Sequence, residues 1–208
     1  MPEPPSLDGG RIGPAPLGIT VLTEPHPVPI AGAPGAATAG SVVRVLNLDL
    51  DLPAVSATAA ADGSFQTSVL ASAGNELRFE ALLEGQRSAP ADFIYTSSEG
   101  DQLTASPRYD CLTLSPGFDV EVPAGGAASL RIGNECSEPV TLGAASFRGG
   151  GSFEVATPLP LVIAAGAAGE LELRLIATSG AAEDVLFLPI MRGAQTLRYP
   201  FGLFTPPP

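Results

Sequence analysis

Few side chains in this 208-residue chain are of types that act chemically on other molecules. His26 is the only histidine, so a Ser-His-Asp or Cys-His arrangement would have to use it. It stands between Pro25 and Pro27 in what reads as an exposed edge loop, where an imidazole is hard to pin against a nucleophile. A solvated loop histidine is therefore expected. The chain contains no Gly-x-Ser-x-Gly, His-Glu-x-x-His or phosphate-loop motif. Its 22 carboxylates raise the question of a glycosidase, which needs two of them at a defined separation. Such sites also use aromatic platforms, and this chain has no Trp and only Tyr95, Tyr109 and Tyr199 as tyrosines. No catalytic residue is assigned, and the protein is expected not to be an enzyme.

Asp49 and Asp51 fall on one side of an alternating run, and Asp62 comes later at a turn, with Glu99 and Asp101 further on. Hard oxygens of this kind make them weak calcium candidates. A strand face that is simply wet explains Asn47, Asp49 and Asp51 equally well, and EF-hand spacing is missing. No metal or other cofactor is assigned, with calcium kept as the alternative. Cys111 and Cys136 cannot form a zinc site with a single histidine, so a disulfide is the better reading and two buried thiols the other. A bridge would close a loop of 25 residues, worth about 3.5 kcal/mol by chain entropy. It would favour an oxidising compartment.

The elements that must position these residues have a period of two. Residues 44–52, 76–82 and 170–176 alternate apolar and polar side chains, the pattern of strands with one face in a core and one in water. That places Asp49, Asp51 and Glu172 on outer faces and assigns most of the acidity to solubility. No convincing helix interrupts the pattern. The expected fold is all-β, two tandem Ig-like antiparallel β-sandwiches. Residues 1–18, rich in Pro and Gly, read as a flexible tether. The first sandwich is placed at 19–103, opening with a strand at 19–22. Prolines 25, 27 and 29 confine the segment after that strand to an edge or loop. A strand over 41–52 and a hairpin of 54–61 with 64–71 around Asp62-Gly63 come next. The second sandwich is placed at 104–204, with strands over 111–114, 118–122, 128–132, 140–147, 161–164, 170–177, 184–190 and 196–203. A Pro tail, 205–208, stops the sheet. The last strand is aromatic and carries Pro200. Its Leu197, Tyr199, Phe201 and Phe204 either fill the core of their own domain or form an assembly edge that completes a neighbour's sheet.

The net charge of −12, with ten arginines and no lysine, repels a phosphate backbone, so nucleic acid is not an expected partner. No apolar run approaches the roughly 20 residues that span a bilayer, so no membrane span is expected. Met1-Pro-Glu-Pro-Pro has no leader character. The expected location is extracytoplasmic, periplasm or cell surface, if a leader is missing from this chain, and cytoplasmic if Met1 is native. Lysine-free composition rich in Ala, Gly, Pro and Arg suits a GC-rich bacterial genome.

The stretches AGSVVRVLN, AAADGSFQTSV and GNELRFEALLEGQRSAP resemble bacterial Ig-like repeats of surface proteins. The stretch CLTLSPGFDVEVPAGGAASLRIGNECSEPVTLGAASFRGGGSFEV is similar to Ig-like domains of the ASH and major-sperm-protein type, through Asn134-Glu-Cys136, the strand at Val140 and the position of Phe153. These resemblances imply a non-enzymatic structural, adhesive or protein-binding module of an extracytoplasmic bacterial protein, with an unidentified protein or glycan partner. The alternative is a subunit of an ordered assembly (filament, surface layer or phage-like particle) that self-assembles through sheet edges.

Overall fold

Residues 3–15, 24–97, 101–149, 151–176 and 182–205 are described by the computed structural model of the chain. The alternating runs form strands throughout, and among the described residues the single helical turn is a 3-10 turn at Gly9–Arg11. The chain divides into two compact units, Met1–Ser106 and Pro107–Pro208. Each has its own buried core.

In the first unit the strands are β1 (Ile12–Pro14), β2 (His26–Gly32), β3 (Val42–Asn47), β4 (Val55–Thr58), β5 (Phe65–Ala71), β6 (Glu76–Leu83), β7 (Gln86–Arg87), β8 (Ala91–Thr96) and β9 (Gln102–Ala105). One sheet has the order β1-β2-β5, the other β4-β3-β6-β8-β9, with β7 beside β6. All these pairings are antiparallel. Val28 and Ile30 of β2 and Val69 of β5 meet Val43 and Val45 of β3, Leu77 and Phe79 of β6 and Tyr95 of β8 in the core. This is a β-sandwich with one face of each sheet turned inward.

Four expectations change here. Residues 3–14 are not a tether: Ile12 enters the core, Leu7 bridges to Ala37, and Asp8 N–H donates to Ala36 O at 2.8 Å. Two well-spaced apolar side chains outweigh the proline content, since prolines are tolerated at the end of an edge strand. The prolines at 27 and 29 lie within β2, not in a loop. Ala15 N–H donates to Pro29 O, so the proline nitrogens face the β1 side and the β2–β5 ladder loses no donor. The segments around Asp62-Gly63 do turn tightly, with Ala60 N–H to Ser64 O at 2.7 Å and Gly63 at φ 81°. They do not form a hairpin, because β4 pairs with β3 in one sheet and β5 with β2 in the other. Finally, β9 pairs with β8, so the sheet containing β8 continues past 103 and the units divide after Ser106. The strand expected at 19–22 and the tail residues 206–208 lie outside the described residues.

In the second unit the strands are β10 (Leu112–Ser115), β11 (Asp119–Glu121), β12 (Ala127–Asn134), β13 (Val140–Leu142), β14 (Ser146–Phe147), β15 (Phe153–Val155), β16 (Leu161–Ile163), β17 (Ala168–Leu175), β18 (Glu183–Arg192) and β19 (Gln195–Phe204). A sheet of order β10-β12-β17-β15 faces one of order β11-β19-β18-β13-β16, with β14 beside β18. In immunoglobulin lettering the first is A-B-E-D and the second is A′-G-F-C with β16 added beside C, an Ig-like arrangement. Leu130, Ile132, Leu171 and Leu173 from one sheet pack on Leu142, Leu186, Leu188, Ile190, Tyr199 and Phe201 from the other. The strand expected over 140–147 is broken into β13 and β14. At the break Gly143 N–H still donates to Pro189 O at 2.7 Å, but Pro189 has no N–H to return and the ladder stops.

Candidate functional site

In the first unit polar chemistry concentrates in three places, each of which spends hydrogen-bonding capacity on the fold. The first is the end of β3. The alternation over 44–52 predicts an Asn47 that points to water, but the strand stops at Asn47 and that side chain is buried beside Val43 and Val45. Its carbonyl oxygen accepts Asp49 N–H at 2.9 Å, an Asx turn that ends the strand. Its amide donates to Leu70 O at 2.8 Å and Asn75 Oδ1 at 2.9 Å. Asp49 Oδ2 accepts Glu76 N–H at 2.6 Å. Asp51 is exposed in the segment after the turn. Asp62 lies apart, its Oδ1 accepting from Ser64 N–H at 3.0 Å and Ser64 Oγ at 2.7 Å. Those bonds hold the Asp62 carboxyl below its usual range. The calcium candidates Asp49, Asp51 and Asp62 thus do not converge on one point. Among the described residues no group of three His, Cys, Asp or Glu side chains could hold a metal ion. Glu99 lies outside them.

The second place is the outer side of β6. A strand with charged residues at alternate positions should present them to water, yet Glu76, Arg78 and Glu80 are all buried. Arg78 donates from Nε and a terminal nitrogen to both oxygens of Asp92, at 2.8 and 2.9 Å, with the side chains 3% and 7% exposed. Glu80 accepts from Arg87 at 3.1 Å and pairs with Arg44 at 3.3 Å. Register explains the set: Arg44 faces Glu80 and Arg78 faces Asp92 across antiparallel ladders.

The third place gathers His26, Tyr95 and Asp101. Tyr95 is fully buried, and its hydroxyl donates to Asp101 Oδ1 at 2.5 Å, with His26 Nε2 at 3.4 Å on its other side. His26 Nδ1 is 3.1 Å from Glu24 O; a carbonyl only accepts, so this nitrogen carries a proton. Burial first, then the Asp101 carboxylate, push the phenol far above its usual range. His26 is therefore half-buried at the start of β2, not a solvated loop residue. No signal in the sequence links positions 26, 95 and 101; three separate elements bring them together.

In the second unit Cys111 and Cys136 form the disulfide, with Cα atoms 5.0 Å apart. Asn134, also buried, ends β12 as Asn47 ends β3: its oxygen accepts Cys136 N–H at 3.0 Å and its amide reaches Ile163 O at 3.0 Å in the opposite sheet. Tyr199 and Phe201 lie in the core, Leu197 packs against it, and Phe204 is half-buried. The rings of Tyr199 and Phe201 are thus core side chains, and β19 lies between β11 and β18 in its sheet rather than at the expected edge. Tyr199 Oη accepts Tyr109 N–H at 2.5 Å, and burial raises its phenol. On the outer side of β12 and β17, Ser129, Thr157, Glu170 and Glu172 line an open groove of about 380 Å³. Ser129 is hydrogen-bonded to Glu170, and Arg174 pairs with Glu172 at 2.7 Å.

No family model matches the chain, and no curated protein matches it. Among solved structures it is similar to WR4, a major-sperm-protein family member of Caenorhabditis elegans, at 13% identity and a TM-score of 0.35, over 48% of this chain and 100% of that one. A protein of unknown function from Porphyromonas gingivalis W83 is similar at 12% identity and 0.37, over 98% of this chain and 100% of the other. The VesB protease of Vibrio cholerae is similar at 10% and 0.38, over 80% of this chain and 62% of its own. Likeness at these values does not reach individual residues.

Proposed function

We infer that the chain is a non-enzymatic structural or protein-binding module of an extracytoplasmic bacterial protein, built from a surface-type Ig-like repeat and an Ig-like domain of the ASH or major-sperm-protein type. One observation carries this reading: the polar side chains with most chemical potential are invested in holding strands. Asn47, Asp49, Asp62, Arg78, Asp92, Tyr95 and Asn134 cap turns, pair across ladders or staple sheets. The Cys111–Cys136 bridge is compatible with an oxidising location. Among the described residues no helix is long and apolar enough to cross a membrane. A protein or glycan partner would meet loops and sheet edges. The test is capture with the purified oxidised chain from surface extracts of its native host, then titration of the captured partner. Saturable binding that survives moderate salt supports the reading; turnover of a captured molecule would overturn it.

A second reading, a subunit of an ordered assembly, is favoured by β18. Its residues Leu186, Leu188 and Ile190 face the core, while Phe187, Pro189 and Met191 face outward, and Val162 on β16 is 64% exposed. An antiparallel sandwich strand usually keeps one side polar. Sedimentation over a wide concentration range checks this: concentration-dependent growth that Val162→Glu abolishes is the outcome expected of assembly.

A further inference from the structure

The two ends of the second unit lie side by side in one sheet. β11 and β19 run parallel, Asp119 opposite Gly202, Val120 opposite Leu203 and Glu121 opposite Phe204. Gly202 N–H to Phe118 O and Val122 N–H to Phe204 O, both 2.8 Å, extend the patch. Tension on the chain on either side of this unit pulls β11 toward its N-terminal end and β19 toward its C-terminal end. In a parallel pair those directions are opposed along one axis, so the backbone bonds are sheared together rather than opened in turn. The patch is short, only three register pairs.

The disulfide changes the path of that tension. Load arriving through residues 107–110 reaches Cys111 before it reaches β10 or β11, and the sulfurs carry it to Cys136, beyond the end of β12. Residues 112–135 are left out of the path. The load re-enters at β13, whose Val140–Leu142 pairs with Arg192 to Ile190 of β18. β18 in turn pairs with β19 over ten positions, from Glu183 with Phe204 to Arg192 with Gln195. β13 and β19 are both antiparallel to β18, so the opposed pulls now shear two ladders in series, β18 against β13 and β14 and then the ten-position β18–β19 ladder. Tyr109 adds a clip: its N–H donates to Tyr199 Oη and its hydroxyl to Gln195 O at 2.9 Å, tying the leading segment to the first half of β19.

We propose that the Cys111–Cys136 bond is a tension bypass, which takes load off the β11–β19 patch and places it on the β13–β18–β19 ladder. It rests on the reading of the chain as a structural module but on no particular partner. Single-molecule pulling of the full chain from both ends tests it, comparing the oxidised protein with the double variant Cys111→Ala, Cys136→Ala. The oxidised second unit is expected to unfold at the higher force. With 25 residues of separation between the cysteines, it should also extend about 80 Å less. Val122→Pro, which removes the N–H given to Phe204, should lower the unfolding force of the cysteine-free protein and leave that of the oxidised protein unchanged. Equal forces with and without the bond, or a loss of force from Val122→Pro in the oxidised protein, would overturn the bypass. If circular dichroism shows the cysteine-free variant unfolded, Val122→Pro in the oxidised protein decides alone. A failed partner capture changes none of these forces, so the two readings fail separately.

Discussion

Buried polar residues are where single substitutions should speak most clearly. Tyr95→Phe removes the hydroxyl held by Asp101, at a cost of about 2 kcal/mol for a charge-assisted bond, read by urea denaturation at neutral pH. The same variant has a pH signature. The folded phenol titrates well above its ordinary value of 10.0, so the stability it contributes is complete below that value and is lost as pH rises beyond it. Wild type should therefore lose stability above pH 10 more steeply than Tyr95→Phe. Arg78→Met removes the guanidinium that binds both oxygens of the buried Asp92 carboxylate, a loss of about 3–5 kcal/mol. Adding Asp92→Leu should restore most of it, and a double variant no better than the single one would refute the pairing argument. At Asp49, Asp51 and Asp62 the expected result is a melting temperature unchanged by millimolar calcium or chelator. Asp49 and Asp62 already accept backbone donors, and the three carboxylates do not meet.

At the scale of elements, the alternation of strands such as 170–175 was readable because each face meets a single environment: Leu171 and Leu173 are buried and Glu170 and Arg174 exposed. β6 has the same alternation, and its outer side is buried nonetheless. Period two distinguishes two faces; it does not say what covers the polar one. The Asp62-Gly63 turn was legible, but whether the strands it joins pair with each other is a question of sheet membership, which no local dipeptide encodes. The disulfide belongs to this scale because it ties the start of β10 to the segment after β12. Cys111→Ala with Cys136→Ala should cost about 3.5 kcal/mol in guanidinium denaturation. A loss near zero would mean that the unfolded chain already keeps these two positions close.

For the molecule as a whole, separate cores within two compact units predict that residues 107–208 fold without the rest. A cooperative thermal transition and a dispersed amide spectrum from that fragment are the expected outcome, and a molten spectrum would count against it. The charge of −12 is spread over both units, so salt should matter little to either fold while it screens approach of a basic partner.

The sequence alone determined the all-β class and the turn positions, because strand periodicity and turn chemistry are properties of a few adjacent residues. Tertiary structure decided the rest. It showed that residues 3–14 pack into the first unit, that Asn47 turns inward, that the Tyr95 hydroxyl meets both His26 and Asp101, and that β11 lies parallel to β19. Each of these joins positions far apart in the chain, and only the packing of whole sheets brings such positions within bonding distance.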